Sequence, residues 1–277
     1  MQKAKMTKFA AFAVLALSSW APAAVAGSTW SLGSPNCTQN GTAAGNSFTN
    51  CAGVGAASNP TISQATAFST TGTGAAFATA ALANYGGTFG VTAAGESTGS
   101  PQHSLDNNGF TDAVVLSFSS SVILRQLTLG WAAYDSDFSV LRYTGTTAPV
   151  IAGKTIAQLL SGGWSAVGNY MNTVGSPVQA DGGGSVNATA NINASGFSSS
   201  WWLISAFNSA YGGANIGGAA DGTSDYVKLL SVAGDKLVSS VPEPASLALV
   251  VAALLGAVYA SRGRKDKLRQ LDRSVRC

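Results

Sequence analysis

From Leu105 onward the apolar residues of this chain arrive in short bursts: 112–118 (DAVVLSF), 122–131 (VILRQLTLGW), 138–143 (FSVLRY), 201–207 (WWLISAF) and 226–232 (YVKLLSV). Each is rich in β-branched and aromatic residues and is closed by Gly, Ser, Asn or Asp, which is the composition of strands and the turns between them. Ser119-Ser120-Ser121 reads as the break between the first two bursts. One segment, 155–160 (TIAQLL), fits a turn or two of helix, ended by Ser161-Gly162-Gly163. Short strands with loop-rich joins predict an all-β fold, a β-sandwich of jelly-roll type, rather than a parallel α/β sheet. The strand pattern places the sandwich over 103–238. Residues 27–102, rich in Gly, Ala, Ser, Thr and Asn, are either strands and loops of the same body or a partly disordered stalk.

The charge is distributed unevenly. Charged residues make up 10% of the chain, against about 25% in a typical soluble domain. The net charge of +3 comes from the ends: residues 27–241 hold five bases against nine acids. That middle offers no basic stripe for phosphates, which argues against a nucleic-acid partner.

The two ends carry address signals. Lys3, Lys5 and Lys8 precede the apolar run 9–17, and Ala24-Val25-Ala26 supplies a small-residue cleavage site before Gly27. This is the three-part pattern of a secretory signal peptide, over 1–26. At the other end Pro242-Glu243-Pro244 is followed by residues 245–260 without a charge, then by Arg262, Arg264, Lys265, Lys267 and Arg269. As a helix rising ~1.5 Å per residue, the apolar stretch makes about 24 Å, a little short of a bilayer core. Tyr259 at the interface and a snorkelling Arg262 extend its reach. The positive-inside rule puts the basic tail, 262–277, in the cytoplasm and the middle of the chain across the membrane as an ectodomain. The two prolines disfavour the α region at Val241 and Glu243, holding an extended stretch just outside the membrane.

The order Pro-Glu-Pro, short apolar helix and Arg-rich tail over 241–277 resembles the PEP-CTERM sorting signal of exosortase substrates in Gram-negative bacteria. The segments 103–109 (HSLDNNG), 112–118 and 131–137 (WAAYDSD), together with 201–205 and 225–229, look like a subset of exosortase-dependent surface proteins that join a β-rich ectodomain to the same tail. The resemblance implies a membrane exosortase that recognises Pro242, Glu243 and Pro244 and cuts nearby. The precursor is then an inner-membrane protein with a periplasmic ectodomain, and the product is sorted to the cell surface or extracellular matrix. It implies no enzymatic activity.

The remaining features concern the ectodomain. In an oxidising compartment Cys37 and Cys51 are expected to form a disulfide, with Cys277 left on the cytoplasmic tail. Gly95-Glu96-Ser97-Thr98-Gly99 has the G-x-S-x-G form of a nucleophile elbow. The single histidine, His103, follows at once with no acid between, and no strand or helix flanks the motif, so a Ser97–His103 hydrolase is rejected. Gly153-Lys154-Thr155 lacks the first glycine of a P-loop. Zinc has too few His and Cys ligands. Calcium is the one cofactor the residues admit: Asp106, Asn107, Asp112, Asp135 and Asp137 are hard oxygen donors at strand ends, although such side chains also make Asx-turns. Trp201, Trp202 and Tyr211 are candidates for stacking on an extracellular polysaccharide. The adjacent tryptophans must point to opposite faces of a strand, so one of them is a core residue.

Overall fold

The computed structural model describes residues 27–55, 60–72, 74–174, 183–237 and 250–257. The chain is all-β, as expected. Eight strands lie before His103: β1 (Ser28–Ser31), β2 (Thr38–Asn40), β3 (Ser47–Cys51), β4 (Gly53–Val54), β5 (Ile62–Thr70), β6 (Phe77–Thr79), β7 (Ala81–Tyr85) and β8 (Thr88–Thr92). Eight follow: β9 (Leu105–Asp106), β10 (Asp112–Tyr134), β11 (Phe138–Tyr143), β12 (Trp164–Tyr170), β13 (Gly184–Asn191), β14 (Ser199–Ala206), β15 (Asn215–Ile216) and β16 (Asp225–Lys236). The Gly-rich segment 27–102 is therefore strands and loops of the main body, and no stalk. Its Trp30, Phe48, Ile62 and Phe89 are fully buried.

One strand organises the rest. The sequence predicts a break at Ser119-Ser120-Ser121, but β10 runs unbroken for 23 residues. The serines mark a change of partners. Before them, 112–118 lies between β14 and β5. After them, 122–134 lies between β16 and β13. The first half continues through β14, β11, β12 and β15 on one side and through β5, β3 and β2 on the other. The second half continues through β16 to β1 and β4, with β8 and β9 against the far end of β16.

Of the three register shifts between β10 and β16, two place an extra residue in β10 and keep its apolar side chains pointing inward. Val122 and Leu124 face the core, and so do Leu127 and Leu129, then Ala132. Strict alternation would turn the second pair outward, because side chains on a strand repeat every two residues. The register shifts between Leu124 and Gln126 and again between Leu129 and Trp131 restore the inward face. Each is a β-bulge, which adds a residue and increases the local twist.

Two apolar clusters result. The larger joins Val114, Leu116, Trp202, Ile204 and Phe138 from the first half to Trp30, Leu127, Leu129, Val227, Leu229 and Val232 from the second. The smaller lies on the opposite face of the first half, where Ala113, Val115, Leu141 and Leu203 meet Ile156, Leu159 and Tyr211. Ile156 and Leu159 come from α1 (Ile156–Ser161), the expected short helix. Thr155 caps it in a reciprocal pair with Gln158, which satisfies backbone N–H groups at its start. The expected Cys37–Cys51 disulfide is present. Closing so short a loop is worth roughly 3 kcal/mol on the chain-entropy estimate.

First and last strands of the body pair antiparallel, Ser28 with Gly234 and Trp30 with Val232. Among the described residues the compact unit runs from Gly27 to Leu237. The expected signal peptide, the Pro242-Glu243-Pro244 motif and the basic residues Arg262, Arg264 and Lys265 lie outside the described residues. Within the apolar stretch 245–260, residues 250–257 are helical. Among the described residues no helix is long and apolar enough to cross a membrane.

Candidate functional site

Seven of the nine acids in the body lie near one another around the ends of β9, β10 and β16. They arrive there because loops begin or end at these strand ends and carry Asp and Asn, which turn the chain by bonding their own backbone. They form two groups. In the first, one carboxylate oxygen from each of Glu96, Asp106 and Asp112 lies within 4.8 Å of the others; in the second, the same holds for Asp135, Asp137 and Asp225. Asp221 adds its negative field to Asp135 and Asp137.

In the first group Asp106 closes β9 and Asp112 opens β10. Both side chains are fully buried. Asp106 Oδ1 accepts the Asn108 N–H at 3.0 Å, an Asx-turn, and Asp112 Oδ2 accepts the Asp106 N–H at 3.4 Å. Asp106 Oδ2 and Asp112 Oδ1 are buried with no hydrogen-bond partner. Glu96 reaches in from the loop after β8, its Oε2 accepting the Ala93 N–H at 2.8 Å. Burial, then the neighbouring Glu96 charge, pushes the Asp106 carboxyl up to about 8. Burial and Asp106 raise Asp112 well above the ordinary carboxylate range. Burial raises Glu96.

The second group sits where β10 hands over to β11, opposite the start of β16. Asp225 Oδ1 accepts the Asp137 N–H at 2.8 Å, and Asp137 Oδ1 accepts the Asn172 N–H at 2.6 Å. Asp135 Oδ1 accepts the Ser136 N–H at 2.7 Å, while Asp135 Oδ2 is buried and unpartnered. Burial pushes Asp225 up to about 9 and Asp137 up to about 6. A groove lined in part by Asn107, Phe207, Asp221 and Thr223 opens beside this group.

Asn107 ties the groups together. It follows Asp106 in the chain, and its amide donates to Asp225 Oδ2 at 2.5 Å and to the Phe207 carbonyl at 3.0 Å. Its Oδ1 accepts the Asp225 N–H at 2.8 Å. The residue expected as a ligand is thus a brace between the two groups. Comparison with known proteins finds no matching family model, no similar curated protein and no similar solved structure. The chemistry of the site therefore rests on its own geometry.

That geometry is unusual in one respect: among the described residues no base forms an ion pair with these acids. The Arg125–Asp235 ion pair, at 3.2 Å, involves none of these acids. The buried base, Lys228, is held between the rings of Tyr85 and Trp131, 4.5 and 4.3 Å from their centroids. Burying unpaired carboxylates is costly unless they take up protons or a cation. The donors are all oxygen, which suits a hard cation and not zinc. Five of the six are buried, and Glu96 is half-buried.

The sequence reading placed Asp106, Asp112, Asp135 and Asp137 at the site but missed Glu96 and Asp225. Other candidates take structural roles. Trp202 and Tyr211 are buried, in the larger and smaller clusters respectively. Trp201 stands edge-on to Tyr143 at 5.9 Å, so the three rings form no common platform. Ser97 Oγ accepts the Gly99 N–H at 3.2 Å, and the His103 ring stacks on Tyr85 with centroids 4.2 Å apart.

Proposed function

We propose that this chain is an exported, non-catalytic surface or matrix protein that a membrane exosortase processes at Pro242-Glu243-Pro244. In this reading the body is a β-sandwich of jelly-roll type, its two layers being the neighbours of the first and second halves of β10, with the larger apolar cluster between them. Residues 1–26 act as the signal peptide, 245–260 as the membrane-spanning helix and 262–277 as the cytoplasmic tail. The precursor sits in the inner membrane with its ectodomain in the periplasm, and the product goes to the cell surface or beyond it.

One observation carries the reading. The compact unit stops at Leu237, just ahead of the Pro-Glu-Pro motif, and its first strand pairs with its last. Cuts near Gly27 and near Pro242 therefore leave every described strand and the described core in one piece. The disulfide, at home in an oxidising compartment, agrees with export. Replacing Glu243 with Ala tests the sorting step. Full-length protein is expected to accumulate in the inner membrane, and normal release of the variant would contradict the proposal.

A further inference from the structure

We propose that the body binds two calcium ions, one held by Glu96, Asp106 and Asp112 and one by Asp135, Asp137 and Asp225, with Asn107 bracing the pair. Two independent observations converge on each site. The first is spacing. Ligand oxygens about 2.4 Å from a common calcium ion stand at most about 4.8 Å apart, and the oxygens of each trio fall within that limit. The second is the set of unpartnered oxygens. Asp106 Oδ2 and Asp112 Oδ1 in the first trio, and Asp135 Oδ2 in the second, are buried and accept no hydrogen bond. Their sister oxygens are held by backbone N–H groups, so each carboxylate is oriented by one oxygen and left with the other to donate.

The chemistry selects the ion. Calcium takes six to eight oxygen ligands in flexible geometry, so three carboxylates leave positions for backbone carbonyls and water. Magnesium demands a tighter octahedron and dehydrates reluctantly, which suits these buried trios poorly. No histidine or thiol lies in either trio. Asn107, which lines the adjoining groove with Asp221, is bonded to Asp225 of the second trio. The ions would tie the β8–β9 loop to the start of β10, and the β10–β11 junction to the start of β16. This inference does not depend on exosortase sorting: an unprocessed chain would bind the same ions.

The test is calorimetric titration of the calcium-stripped full chain in detergent with calcium chloride, alongside melting curves. The expected result is two ions per chain, with affinity in the range of extracellular modules, about 10⁻⁴–10⁻³ M, and a melting temperature raised by calcium and not by equal magnesium. Asp112→Asn and Asp135→Asn are each expected to remove one ion and leave the other. Glu96→Gln, on the half-buried loop residue, is the milder probe of the first site and is expected to weaken one ion about tenfold. Absence of binding and of any thermal shift in the unaltered chain would overturn the proposal, as would an equal response to magnesium. A variant that keeps both ions at unchanged affinity would overturn the assignment of its trio.

Discussion

At the scale of single residues, the body turns on acids that the fold buries with no ion-paired base among the described residues. Asp106, Asp112, Asp135, Asp137 and Asp225 are all buried, and burial raises the pKa of each. A carboxyl whose pKa is higher in the folded state than in the unfolded chain favours folding when protonated. Its contribution is complete below the ordinary carboxylate range near 4. It is lost as pH rises through about 6 for Asp137, 8 for Asp106 and 9 for Asp225. Lys228, lowered to about 8 by burial, acts in the opposite sense, but only where it loses its charge, at the alkaline end. In chelator, the melting temperature is therefore expected to fall as pH is raised from 5 to 8. Saturating calcium should abolish or reverse that slope, because the ion binds the ionised form. A chelated protein whose melting temperature is flat over this interval would show that these side chains are not held as described.

At the scale of elements, β10 makes one fold out of two sets of neighbours, and its bulges decide which side chains reach the core. Gly130 lies in the second bulge. A Cβ there would stand 2.4 Å from Thr88 Cγ2 and 3.1 Å from the Leu230 Cβ. Gly130→Ala is expected to destabilise the body by about 1–3 kcal/mol, the usual cost of overpacking a filled site, measured by denaturant unfolding. A neutral substitution would mean that β8 and β16 do not approach β10 this closely. The same strand shows what the sequence disclosed and what it hid. Runs 112–118 and 122–131 were legible as strands from their β-branched residues. Their continuity was not, because three serines read as a turn whether the chain reverses there or only changes partners. The capped helix at Thr155 was legible because its signal is local. Glu96 was hidden in a Gly/Ser/Thr loop with no periodicity. Asp225 was hidden as the first residue of a strand, and its neighbours Asp106 and Asn107 are more than a hundred residues away. Pairings of that range come from topology, which no local pattern encodes.

At the scale of the whole molecule, the account rests on a division of labour along the chain. In the proposed reading the ends act as address signals; the body between them closes on its own first and last strands, Ser28 opposite Gly234. Both proposed cuts fall outside the described strands of the body. The disulfide, the carboxylate trios and the core all lie inside the span from Gly27 to Leu237. The most direct measurement is intact-mass spectrometry of the protein released from its native cells. The account predicts a product that begins near Gly27 and ends close to Pro242, with Cys37 and Cys51 oxidised. A released product that still carries residues 245–277, with Cys277 at its end, would contradict it.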